Sequence, residues 1–511
     1  MSQRRSFIQK VIYLCLILAL FLPLVYLNRE TSGGKGMLRS LPQMRQDMGL
    51  AQSTLGEIDP ASETLKLAAL GMRGIAATVL NLKGIDYQKK QDWTNLSATC
   101  EQLTKLVPNF ISFWKYQAWN LSYNVSVEFD DYRDRYYWVK RGIHFLRDGL
   151  VYNSREPRLL WEVGWFTSEK LGKSDEKEQF RVLFVQDDDY HDQLPKNLRD
   201  PFGRRDNWLV GKQAYVEGVQ MVDRGVTLKG MSPIMFFSKP GICQIYYGTA
   251  LGDDGKFGED YHEAWSEALR EWKRFGSREM PATTANDQVL MIRMNDLEQW
   301  ADRAKKAAAE LDAIEPGLRE KLRQEKIAAL PTKEREALNT PEVTRTPEQQ
   351  TAAYEADYKV RVSHSDVAAR VSTDKKSQAE KLANEANYGD AMADMIDKYR
   401  GIMNFGDWEL RCMAEQTEEA REARKLIYDA QHRLEADSPD LVGAEQLYAQ
   451  GLQKWRGVLD KFPALIKDSL TGPELGEMVT GYEKILELLD EKLPEDFILK
   501  DVRYHNPRLP E

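Results

Sequence analysis

Leu80, Gly84 and Tyr87 are followed thirty-four residues later by Trp114, Ala118 and Leu121 at the same internal spacing. A large residue, a small one four positions on and another large one three further fall on one side of a helix. The small residue lets a second helix approach closely, and the larger ones fill the space around the crossing. A unit of this size cannot bury its apolar face alone, so recurrence demands that units stack in a row. A third set, Leu160, Val163, Gly164 and Thr167, begins forty-six residues after Trp114. That is one period plus twelve, and the excess matches an insertion in the acidic, aromatic turn at residues 123–135.

Leu96 and Cys100 continue the first unit into a second helix, and Pro108 ends it. The set Leu80, Gly84, Tyr87, Leu96, Cys100 and Pro108 resembles the tetratricopeptide repeat, whose period is thirty-four. Three departures stand out: Lys83 replaces an apolar residue, Leu96 a small one and Cys100 an aromatic one. The resemblance spans residues 62–172 as three units, the last incomplete. It implies an all-α fold in which helical repeats form a solenoid with a concave surface for partners. An ordinary helical bundle is the alternative reading of the same spacing.

Further along, residues 243–276 read as a helix, a turn at residues 252–258 and a second helix carrying Tyr261, Ala264, Trp265, Ala268 and Trp272 on one face. Residues 296–327, rich in Ala, Glu, Lys and Arg, predict an exposed helix. Pro331, Pro341 and Pro347 sit in a stretch with few apolar residues, read as a hinge or partly disordered linker. Helices follow at residues 408–436, 444–462 and 474–492, the middle one with the stripe Leu447, Tyr448, Leu452, Trp455 and Leu459. The expected organisation is a head at 1–10, an anchor at 11–27, a tether at 28–61, a repeat region at 62–295, a charged helix and linker at 296–350, a helical region at 351–493 and a Pro-rich tail at 494–511.

Residues 11–27 are unbroken apolar sequence behind Arg4, Arg5 and Lys10. Seventeen residues reach about 25 Å as a helix, the short end of what spans a bilayer. No Ala-x-Ala cleavage site follows, so the run reads as an uncleaved signal-anchor rather than a removed signal peptide. Arg4-Arg5-Ser6-Phe7-Ile8 also resembles a twin-arginine export signal. Arg29, Lys35, Arg39 and Arg45 behind the run weaken the charge bias. The short head is expected in the cytoplasm and the bulk of the chain in the periplasm, making a single-pass inner-membrane protein. The whole layout resembles large single-pass, repeat-bearing proteins of planctomycete-type bacteria, over residues 80–276 above all, including Arg205-Asp206-Asn207-Trp208-Leu209 and Lys229-Gly230-Met231-Ser232-Pro233.

A net charge of −9 argues against a nucleic-acid binder, which needs a basic face. Cys100, Cys243 and Cys412 are too far apart for a disulfide framework or a Cys-based zinc site, though one bridge stays open. No phosphate loop, dinucleotide fingerprint, zincin or nucleophile-elbow motif occurs, and six histidines are few for acid-base chemistry. Asp187, Asp188, Asp189, His191 and Asp192 form a weak metal candidate, since carboxylates suit hard cations; a solvated acidic loop is the plainer reading. Residues 253–259 lack the alternating acids of a calcium loop. Six of the twelve tryptophans fall between Trp93 and Trp165. Trp114, Trp119, Trp138 and Trp161 are the candidates for gripping a partner, the role aromatics play at hot spots. The expectation is a membrane-anchored scaffold that binds proteins outside the cytoplasm, with no cofactor and no catalysis. The alternatives are a metal-dependent hydrolase using residues 187–192 and a self-associating envelope protein.

Overall fold

The computed structural model describes residues 73–283 and 289–505. The apolar run at 11–27 and the tether at 28–61 lie outside them. Among the described residues no helix is long and apolar enough to cross a membrane. The described chain is helical apart from one hairpin, and it forms two compact units, divided between Tyr247 and Gly248.

The first unit is a succession of packed helices. α1 (Arg73–Lys89) packs on α2 (Trp93–Leu106), α2 on α3 (Ile111–Trp119), and α3 on α4 (Tyr132–Tyr152). α5 (Pro157–Trp165) packs on α4 and then on α8 (Asn207–Asp223); α6 (Lys177–Gln186) and α7 (Asp188–Asp192) lie between these two in sequence. Starts are set locally. Asp92 accepts the Asn95 amide before α2, Pro157 occupies the first turn of α5, and Asp206 accepts the Trp208 amide (2.8 Å) before α8. Two of the small residues picked out by spacing lie at close approaches between helices. A side chain at Gly84 would touch Leu96 at 3.5 Å, and one at Gly164 would meet the Tyr215 ring at 2.9 Å. Ala118, Val139, Ile143, Leu160, Val163 and Phe180 share one core. Both α3 and α5 run on into π-helical segments, Asn120–Val125 and Phe166–Lys170. The first of these takes up part of the expected insertion at 123–135 and lengthens the helix instead of leaving a loop.

α9 (Pro233–Asp253) carries the chain from one unit to the other. In the second unit α10 (Glu259–Gly276) leads to strands β1 (Met280–Thr283) and β2 (Val289–Ile292), paired antiparallel with Met280 opposite Ile292. α11 (Leu297–Ile314) and α12 (Leu318–Ala328) occupy the region expected as a single exposed helix. The expected linker at 331–350 is folded: α13 (Thr332–Asn339), a 3-10 turn at Glu342–Thr344, and the start of α14 (Pro347–Val360). Leu330, Ala356 and Val360 form a small core beneath it. α15 (His364–Arg370) and α16 (Lys376–Met403) complete this region.

α17 (Phe405–Glu415), α18 (Glu418–Glu435), α19 (Leu441–Lys461) and α20 (Thr471–Leu488) build one core of this unit, with Tyr448, Leu452, Trp455 and Leu459 inside it. The Pro-rich stretch from 494 is packed too. Phe497, Leu499 and Val502 are buried in that core, the last within α21 (Lys500–His505).

Candidate partner-binding surface

The two π-helical segments place the aromatics that matter. A π-helix closes i→i+5 hydrogen bonds, is rare, and recurs at functional sites. α3 and its extension carry Tyr116, Trp119 and Tyr123 in series, with ring centroids 6.3 Å and then 6.0 Å apart. Tyr123 meets Phe166 of the second π-helical segment edge-on at 6.0 Å. On α5, Trp161 and Trp165 stack at 5.4 Å with their planes 17° apart. Trp208 of α8 stacks on Tyr246 of α9 at 4.8 Å and 22°. Three stacked aromatic pairs therefore follow one another across the first unit.

Lysines alternate with them. Lys170 lies over Tyr123 (4.2 Å), Lys239 over Trp165 (4.7 Å) and Lys173 over Tyr246 (3.9 Å). Cation–π attraction of this kind gains strength as water is excluded. Glu169 of the second π-helical segment ties two of them, pairing with Lys239 and with Lys173 (3.1 Å), while Lys115 pairs with Glu162 (2.6 Å). Burial pushes the Lys170 ammonium below its usual pKa. Lys173 goes the other way, because Glu169 and Tyr246 outweigh its partial burial. The strip is thus a row of aromatic rings and cations held by two carboxylates, with Trp208, Phe166 and Lys239 buried inside it.

Trp119 is the open end of this strip at 42% exposure, and Trp161 is half-buried within it. Trp114 sits in the core at 4% exposure, stacked on Tyr152 and tilted against Phe145, with its indole N–H donated to the Pro108 carbonyl (2.8 Å). It is out of a partner's reach while the fold is intact. Trp138 belongs to another cluster, stacked on Phe129 with Arg141 over its ring. Tyr123, Trp165, Trp208, Tyr246 and the three lysines were not among the candidates for gripping a partner. A signal was there: Trp161, Trp165 and Glu169 recur at i, i+4 and i+8, as do Trp119 and Tyr123 at i and i+4.

The acidic cluster is committed elsewhere. Asp187 caps α7 by accepting the Tyr190 amide (3.0 Å), accepts the Tyr136 hydroxyl (2.9 Å) and pairs with Lys140 (2.7 Å). Asp188 pairs with Arg205, and buried His191 turns Nε2 to the Phe184 carbonyl (2.8 Å). Asp189 and Asp192 do not join them in a cage. Among the described residues no group of three or more His, Cys, Asp or Glu side chains could hold a metal ion. Cys100, Cys243 and Cys412 are free and buried, and burial pushes the first two thiols up to about 12. Thiols so shifted are poor nucleophiles.

Compared with protein-family models, curated proteins and solved structures, the chain matches none.

Proposed function

We propose that the chain is a membrane-anchored adaptor of tetratricopeptide type whose first unit receives a partner protein at Trp119, the exposed end of the aromatic and lysine strip. The anchor reading rests on the sequence of residues 11–27 and places the bulk of the chain outside the cytoplasm. The observation that carries the adaptor reading is Trp119, a large indole left 42% exposed at the end of a continuous aromatic series. Protein interfaces concentrate their binding energy in Trp, Tyr and Arg anchors surrounded by more neutral contacts. Helical repeats supply an extended surface for such anchors without any catalytic group.

The test is co-purification of the full-length protein from gently solubilised membranes. A stoichiometric protein partner is expected with the unaltered chain and with Trp138→Ala. Trp119→Ala should lose it, by tenfold or more in affinity, with an unchanged melting curve. Retention of the partner by Trp119→Ala, or recovery of the chain alone, would overturn the reading.

A further inference from the structure

The second unit holds a cleft of about 490 Å³ between the turn from α11 to α12 and the joint from α14 to α15. Three guanidiniums line it, those of Arg319, Arg323 and Arg361, with Asp312 and Glu320 as the acids. Arg319 and Arg323 stand four residues apart and so share one side of α12. Arg361 comes from the opposite wall, just beyond the end of α14. Gly317, at φ +83°, makes the turn between α11 and α12 and leaves the wall there without a side chain.

The three arginines differ in what already holds them. Arg319 is fixed: Nε donates to both oxygens of Asp312 (3.0 and 2.9 Å) and Nη1 to the Val362 carbonyl (2.9 Å), while Nη2 reaches His364 Nδ1 (3.1 Å). A second contact from Nη2 to Asp312 (2.9 Å) makes the pairing bidentate, so that carboxylate is taken up. Arg361 meets Asp357 at 3.2 Å with both side chains more than half exposed, and such a pair is worth little in water. Arg323 is exposed and makes no hydrogen bond or ion pair with any described residue. Glu320 has no cationic partner among the described residues and accepts from Gln324 (2.6 Å). The balance of the lining is positive, and it comes from groups that a ligand can recruit cheaply.

A guanidinium presents paired N–H donors that match the oxygens of a carboxylate or a phosphate. A carboxylate is a monoanion that one arginine satisfies. A phosphate monoester carries close to two negative charges and three acceptor oxygens, which suits two recruitable guanidiniums beside a fixed third. The volume is more than a bare phosphate fills and falls in the range of small-molecule sites. Val362 adds an apolar patch to the lining. We infer that this cleft binds a small organic phosphate, its phosphoryl group between Arg323 and Arg361 beside the fixed Arg319, and its carbon skeleton against Val362. The site lies wholly within the second unit and is independent of the partner strip of the first.

Isothermal titration calorimetry of the full-length protein at neutral pH and constant ionic strength tests this. The probes are ribose 5-phosphate and inorganic phosphate, with ribose and acetate as controls. Expected is saturable binding of the phosphate probes, no binding of ribose, and no displacement by acetate. Arg323→Gln should weaken binding about tenfold, the worth of one charged hydrogen bond. Glu320→Gln should tighten it severalfold, because it removes the unpaired negative charge from the lining. Both side chains are exposed, so neither variant should shift the melting curve, and the change reads the site rather than the fold. Binding of inorganic phosphate alone, with the same response to Arg323→Gln, would keep the phosphoryl site and exclude a pentose as its skeleton. No saturable binding of either phosphate probe would overturn the inference. So would binding indifferent to Arg323→Gln, or equal displacement by acetate, which would mark a groove that takes any anion.

Discussion

At the scale of single residues, the second unit contains its most exacting arrangement. Arg424 donates from Nε to both carboxylate oxygens of Glu415 (2.8 and 2.7 Å) and reaches Glu474 at 3.1 Å. Arg411 pairs with Glu474 as well (3.2 Å), and the Tyr261 hydroxyl donates to Glu415 (2.9 Å). Glu415 is fully buried. Two guanidiniums and two carboxylates balance in charge, so the network survives burial only as a set. Glu415→Ala leaves Arg424 and Tyr261 without their acceptor and should cost the second unit about 3–5 kcal/mol. Denaturant unfolding measures it; a loss under 1 kcal/mol would mean that water already satisfies the arginine. None of this was legible in the sequence, because Glu415 and Glu474 look like any other helix-surface acid. Trp114 is buried at 4% exposure. It stands thirty-four residues after Leu80 at the same spacing, which marks a packing position. Trp119, five residues on, is turned about 140° away and faces out.

Elements were read well where periodicity spoke and less well where prolines did. The helix pair at residues 243–276 and the stripe from Leu447 to Leu459 stand as α9 with α10 and as α19. The expected exposed helix at 296–327 breaks after Ile314 because Pro316 disfavours helix in the residue before it and Gly317 takes φ +83°. In the expected linker, prolines start helices rather than end them. Pro331 precedes α13, and Pro347 opens α14 behind a Thr346–Gln349 capping box. That motif is visible in the sequence. The π-helical segments had no such signal, since each is only six or five residues long, too short for its wider turn to show as a period of its own. Their close packing gives a prediction. A side chain at Gly211 of α8 would lie 2.7 Å from Ser168 Cβ and 2.9 Å from its backbone nitrogen, in the second π-helical segment. Gly211→Ala should therefore destabilise the first unit by about 1–3 kcal/mol despite better helix propensity. Gly457 of α19 has open space around it, so Gly457→Ala should stabilise the second unit by about 0.5–1 kcal/mol. Thermal and denaturant unfolding of both variants checks the contrast, and equal effects would mean that the π-helical backbone yields to α8.

For the whole molecule, the two units should answer acid in different windows. In the first unit, burial together with Arg147 and Lys140 lowers the His144 pKa from 6.5 to about 4. The folded unit keeps the neutral imidazole while the unfolded chain takes a proton below 6.5. Its contribution to stability is therefore complete above pH 6.5 and is lost as pH falls towards 4. The full shift corresponds to about 3 kcal/mol at most. Burial lowers His191 as well and adds to the same loss, while Asp148, raised by burial, works against it. In the second unit, burial would raise Glu474, but Arg424 and Arg411 outweigh it and hold the carboxyl at about 2 against an ordinary 4.5. That contribution is complete above pH 4.5 and is lost only as pH falls from there towards 2. Between pH 6.5 and 4.5 the first unit should therefore loosen while the second holds. Hydrogen exchange of the full-length protein, read by mass spectrometry at steps through this range, should show α4 and α7 gaining exchange before α18 and α20. His144→Gln should remove most of that early gain and leave the second unit's response below pH 4.5 untouched. Simultaneous loosening of both units, or an early gain unchanged by His144→Gln, would show that the buried imidazole does not govern the acid response of the first.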